Sequence, residues 1–118
     1  LSQWERGRSG LLTETYRITA RLWIWNSDKG AAAWHFITIS GQAADDIHAT
    51  ALMRRMEGGP KRGWGSLKVR ALVGDTCWDT SIFPEKDSGG WLLPVKAAVR
   101  KAEGLVVGDT VTVTVELV

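Results

Sequence analysis

The last quarter of the chain, Trp91 to Val118, reads WLLPVKAAVRKAEGLVVGDTVTVTVELV. Its final segment, Thr110 to Val118, alternates at period two: Val111, Val113, Val115 and Leu117 oppose Thr112, Thr114 and Glu116. That is the pattern of a strand with one face in an apolar core and the other in water. Gly108-Asp109 supplies the turn into it. Upstream, Trp91, Leu92 and Leu93 predict a short strand closed by Pro94. Val95 to Glu103 then predicts a short helix, with Val95, Ala98, Val99 and Ala102 apolar, Lys96, Arg100 and Lys101 outward and Gly104 at the C-terminal cap.

The same alternation recurs toward the N-terminus. Leu67 to Val73 places Leu67, Val69, Ala71 and Val73 on one face, and Gly74-Asp75 turns it into Thr76 to Phe83, a hairpin. Tyr16 to Trp25 puts Tyr16, Ile18, Ala20, Leu22 and Ile24 on one face and Arg17, Thr19, Arg21, Trp23 and Trp25 on the other. Asn26 to Gly30 turns this strand into a returning one, Trp34 to Ile39, which is rich in aromatic and β-branched residues. Between the hairpins the period becomes helical. Over Gln42 to Met56 the apolar positions Ala44, Ile47, Ala51, Leu52 and Met56 recur three to four apart, with Ser40 as N-cap and Gly58-Gly59-Pro60 as the stop.

A chain of 118 residues holds one domain. Residues 13–118 form it, and residues 1–12 read as a flexible N-terminal segment. With 44% hydrophobic and 24% charged residues the composition is that of a globular protein. About six strands and two helices on so short a chain need their sheet edges closed, and a small β-barrel, mainly β in class, is the economical arrangement. The longest uncharged stretch, Gly30 to Ala44, is too short and polar for a transmembrane helix. One cysteine, Cys77, excludes an intrachain disulfide, so a cytoplasmic location is expected.

Three runs in the second half carry a resemblance: Trp78-Asp79-Thr80-Ser81-Ile82-Phe83-Pro84, Trp91 to Lys101, and Gly104-Leu105-Val106-Val107-Gly108-Asp109-Thr110-Val111. They resemble the bacterial domain-of-unknown-function family nineteen-oh-five, with a match spanning about Tyr16 to Val118. The resemblance implies a double-split β-barrel, the architecture also seen in AbrB- and MazE-like proteins, and implies no activity. Glu103 departs from the pattern, standing where the family has an apolar residue before the glycine. On the residues alone, Pro94 suits a helix start, Gly104 a left-handed cap and Gly108-Asp109 a hairpin turn, with Arg100 or Lys101 pairing with Asp109 to staple helix to turn.

Chemistry is less legible. Cys77, Asp79 and Ser81 share a strand face, and His35 and His48 are available as bases, but no spacing indicates a catalytic triad. Catalytic residues are unassigned and enzyme activity is left open; Cys77 is expected to be buried, as free cysteines usually are. His48 reads as a satisfied boundary histidine. No metal-ligand spacing and no phosphate loop is present, so no cofactor is expected.

The stronger signal is seven tryptophans against two phenylalanines and one tyrosine. If the face bearing Trp23 and Trp25 curves around a cavity, then Trp23, Trp25, Trp34, His35, Arg21, Trp78, Asp79 and Thr80 line a site for a small hydrophobic or aromatic molecule, with Arg17 or Arg21 meeting an anionic group. The competing reading has the indoles plugging a small barrel. A second function class is nucleic-acid binding by the basic stretch from Arg54 to Arg70, namely Arg54, Arg55, Lys61, Arg62, Lys68 and Arg70, together with Lys96, Arg100 and Lys101, with Trp64 stacking on a base. A net charge of +2 favours the small molecule over nucleic acid as partner. No membrane partner is expected, and monomer and homodimer both remain open.

Overall fold

The computed structural model describes residues 15–26, 33–56 and 65–118. The expectations for residues 1–12, for the turn after Asn26 and for Gly58 to Trp64, Lys61 and Arg62 included, lie outside them. In chain order the elements are β1 (Thr15–Asn26), β2 (Ala33–Ile39), α1 (Gly41–Met56), β3 (Leu67–Val73), β4 (Thr76–Pro84), β5 (Trp91–Pro94), α2 (Ala97–Glu103) and β6 (Thr110–Leu117).

The strands close into an antiparallel barrel in the order β1-β2-β5-β4-β3-β6. Two strands belong to two sheets each. β1 pairs with β6 from Thr15 to Arg21 and with β2 from Leu22 to Asn26. β4 pairs with β3 from Thr76 to Ile82 and with β5 only at Phe83 and Pro84. The handover on β1 is pinned at Leu22, whose N–H donates to the Asp109 carbonyl at 2.9 Å and whose carbonyl accepts from Gly108 N–H at 2.8 Å. Gly108 has φ +97°, which a side chain would resist.

The alternations read from the sequence point most of their aliphatic residues into the barrel: Ile18 and Leu22 of β1, Val69, Ala71 and Val73 of β3, and Val111, Val113, Val115 and Leu117 of β6 are all buried, whereas Ile24, expected on the same face of β1, is exposed near the end of that strand. Trp78 and Trp91 fill the interior, and Ile37, Ile39, Ile82 and Leu93 complete it. Fully burying one such aliphatic side chain stabilises the fold by about 1.5–3 kcal/mol. The face of β1 that carries Trp23 and Trp25 is consequently the outside of the barrel.

Three local expectations need correction. Cys77 is exposed, because Trp78 and Ile82 take the inward parity of β4 and turn Cys77 outward. The helix α1 fully buries Ala44 and Ile47, in its N-terminal half, and leaves Leu52 and Met56 in solvent. The helix α2 starts at Ala97, two residues later than Val95. Val95 is instead buried as an extension of β5, its N–H bonded to the His35 carbonyl at 2.9 Å, and Ala98 and Ala102 are exposed.

The odd residue Glu103 has a structural job at the end of α2. Its carboxylate lies over the β3–β4 turn and accepts a hydrogen bond from Thr76 Oγ1 at 2.5 Å. The turn residue Gly74 has φ +56°, and a Cβ there would stand 2.1 Å from Glu103 Oε1. At this same C-terminal end of the helix, Gly104 caps in the left-handed conformation, with Leu105 N–H bonded to the Arg100 carbonyl at 2.8 Å. The expected pairing of Arg100 with Asp109 is not made: Asp109 Oδ2 instead accepts from Val106 N–H at 2.9 Å.

Candidate functional site

The short β5 leaves the barrel wall split. It spans Phe36 to Ile39 of β2 and reaches β4 only at Phe83 and Pro84; beyond the single bond from Val95 N–H to the His35 carbonyl, no strand pairing joins Ala33 to His35 of β2 with Trp78 to Ser81 of β4. A cleft of about 970 Å³ occupies the split, lined by those residues, by Lys68, Val69 and Arg70 of β3, and by Val95, Lys96, Ala97 and Arg100. That is the upper end of the size range of small-molecule sites.

Charge is unevenly distributed around this cleft. Lys68, Arg70, Lys96 and Arg100 line it against a single acid, Asp79, a lining net charge of +3 in a chain whose total is +2. Asp79 is already engaged: its Oδ1 accepts from Arg70 Nε at 3.1 Å, on the exposed outer face. Arg100 is half-buried, its Nε donating to the Val95 carbonyl at 3.1 Å and its Nη1 to His35 Nε2 at 3.3 Å. No carboxylate pairs with Arg100 among the described residues.

The contact with Arg100 also assigns the His35 tautomer. A guanidinium only donates, so Nε2 accepts and the imidazole proton sits on Nδ1. That Nδ1 is buried and has no hydrogen-bond partner. Burial, and secondly the positive charge of Arg100, pushes the His35 pKa below its ordinary 6.5, so the ring is neutral at pH 7.

The residues singled out from the sequence are therefore distributed over two surfaces and one outlier. Trp34, His35, Trp78, Asp79 and Thr80 meet in the split cleft. Trp23 and Trp25 do not; with Trp34, Phe36, Phe83, Leu92 and Glu85 they line a second cleft of about 490 Å³ on the outer surface. Arg21 lies on the outer face of β1, opposite Thr110, in neither. Arg100 and Lys96, assigned from the sequence to an outward basic set, are what the reading of the pocket missed. Arg100 follows the buried Val99 on α2 and so flanks the inward face, where it reaches His35.

The other basic residues do not share one stripe. Arg54 Nη1 donates to the Val118 carbonyl at 3.0 Å, Arg70 holds Asp79, and Lys101 is exposed on α2. The backbone of Arg55 lies in the last turn of α1. His48 is satisfied, as expected: its Nε2 donates to the Gly89 carbonyl at 3.0 Å and its ring lies 4.6 Å from that of Trp91. Among the described residues no hydrogen bond joins Ser81 or Cys77 to a histidine, no three His, Cys, Asp or Glu side chains converge as metal ligands, and no helix is long and apolar enough to cross a membrane.

Fold and site together define a single-chain, closed six-stranded barrel with two helices, whose split wall opens on a cationic, tryptophan-bearing cleft. Residues 19–115 match the family described as Domain of unknown function (DUF1905), and the chain belongs to that family. No curated protein matches it.

Proposed function

We propose that this protein is a small-molecule-binding module whose ligand is planar or apolar and carries an anionic group, seated in the split of the barrel wall. The observation that supports the reading most is the lining itself: four cations and one acid around a cleft bordered by the rings of Trp34, Trp78 and Phe83. Arg100 is the anchor in this reading. It is half-buried, lacks a carboxylate partner among the described residues and is held in place by the Val95 carbonyl and His35 Nε2, so its remaining N–H groups are free to meet an oxyanion in a forked geometry. Trp34, about half exposed, offers an apolar face against which a flat molecule stacks, and the nearly buried Trp78 adds apolar surface to the floor of the cleft.

A thermal-shift series with aromatic carboxylates and their uncharged amides, on the wild type and Arg100→Gln, tests the proposal. The carboxylates are expected to raise the melting temperature of the wild type, the amides not, and the variant is expected to lose the response. Equal responses to acid and amide, or an unchanged response in Arg100→Gln, overturn it. The dispersal of Arg54, Arg70 and Arg100 into separate local contacts weighs against a phosphate-tracking surface.

A further inference from the structure

The second cleft has the opposite chemistry. On the outer face of the β1–β2 ribbon, Trp25 stands opposite Trp34 and Trp23 opposite Phe36, so four aromatic rings occupy two successive rungs. Trp34 and Phe36 are stacked at 6.3 Å between centroids and 10° between planes; Trp23 and Phe36 are tilted at 5.2 Å. Trp23 is locked by a hydrogen bond from its Nε1 to Thr38 Oγ1 at 2.8 Å. Phe83 of β4 and Leu92 of β5 continue the wall, and the one charged residue of the lining is Glu85. Glu85 is positioned by the loop after β4: its N–H donates to the Gly90 carbonyl at 2.9 Å, its carbonyl accepts from Gly89 N–H at 3.0 Å, and its carboxylate accepts from the Ser88 hydroxyl. No Lys or Arg pairs with it among the described residues.

Trp25 and Trp34 remain 48% and 52% exposed, a cost in apolar hydration that packing within the barrel does not recover. Aromatic ring faces are electron-rich, and a cation within about 6 Å of several of them is attracted to each. A neutral apolar ligand would gain nothing from Glu85 and would desolvate it, whereas a hydrated ammonium loses more water on entry than the rings return. A weakly hydrated organic cation satisfies both the rings and the carboxylate. We propose that this outer cleft is a binding site for a small quaternary or alkylated ammonium group, held by cation–π contact with Trp25, Trp34 and the neighbouring rings and by the charge of Glu85.

Choline is the probe, with 3,3-dimethyl-1-butanol as its uncharged isostere, both followed through tryptophan indole N–H resonances at constant ionic strength. Choline is expected to give a saturable response centred on Trp25 and Trp34, with the isostere binding about tenfold more weakly. Trp25→Ala is expected to lose the response and Glu85→Gln to weaken it severalfold; Glu85→Gln keeps the shape of the side chain, so it reports even if the tryptophan variant folds poorly. Equal binding of choline and the isostere, no saturable response, or a response centred on Trp78 would overturn the proposal. The site does not depend on the anion-binding reading: Trp34 and Phe83 border both clefts, but only the anion cleft contains Arg100 and His35 and only this one contains Trp25 and Glu85, so an aromatic carboxylate and choline are told apart at those residues.

Discussion

Glu103 and Gly74 are expected to form one energetic unit, although they lie on different elements. Replacing Gly74 by Ala forces an L-residue to keep φ +56°, at about 1–2 kcal/mol for the left-handed conformation. The new Cβ would sit 2.1 Å from Glu103 Oε1, so the carboxylate must leave and its bond from Thr76 is lost. A hydrogen bond to a charged group contributes about 1.5–3 kcal/mol. The expected cost of Gly74→Ala is therefore about 2.5–5 kcal/mol, and that of Glu103→Ala about 1.5–3 kcal/mol. In the double variant the Thr76 bond is lost only once, so Gly74→Ala/Glu103→Ala is expected to be no less stable than Gly74→Ala alone. Urea denaturation of the four proteins with a common m-value reads the cycle. Additive losses, with the double variant worse than Gly74→Ala by the full Glu103→Ala cost, would refute the strap between α2 and the β3–β4 turn.

Other outcomes follow from burial and titration. Ile47→Ala, in the docked half of α1, is expected to lose about 2–5 kcal/mol, while Met56→Ala, 76% exposed on the same helix, stays within about 0.5 kcal/mol of wild type by the same denaturation assay. Cys77, exposed on β4, is expected to react fully with a thiol reagent in the native protein at the rate of a free thiol; protection until unfolding would contradict its outward parity. His35 has a folded pKa below 6.5, so the unfolded chain binds its proton first: the neutral-ring contribution to stability is complete above pH 6.5 and is lost as pH falls toward the folded value. Removing Arg100 leaves burial, the larger cause, in place, so NMR titration of Arg100→Gln is expected to show the His35 pKa raised yet still below 6.5. In the wild type an anion bound among Lys68, Arg70, Lys96 and Arg100, with Asp79 the one acid nearby, raises it too, so binding tightens as pH falls below 6.5.

Most of the barrel was legible because period-two alternation is a local signal. β3 and β6 bury the face their aliphatic residues mark, and so does β1 as far as Leu22, beyond which Ile24 is exposed. Parity was equally available for Cys77, since Trp78 and Ile82 mark the inward face of β4, and a general tendency of cysteines to be buried pointed the other way. The site was less legible for two physical reasons. Alternation separates two faces without saying which one a closed sheet encloses, so Trp23 and Trp25 were grouped with Trp78 although the barrel wall stands between them. The facing of Arg100 is a boundary case: it follows the buried Val99 by one residue, about 100° around the helix, so it flanks the inward face rather than sharing the outward face with Lys101. Glu85, Phe36 and Phe83 went unnoticed because their meeting with Trp34 depends on β5 bringing β4 to β2.

The central claim, an anion-carrying planar ligand in the split of the wall, is tested most directly by NMR titration of the isotopically labelled protein with benzoate and, separately, benzamide. Shifts confined to Arg100 Nε–H, the His35 ring and the Trp78 indole, saturating with benzoate and absent with benzamide, are the expected result. Shifts of equal size with both compounds, or none at these three residues, would contradict it.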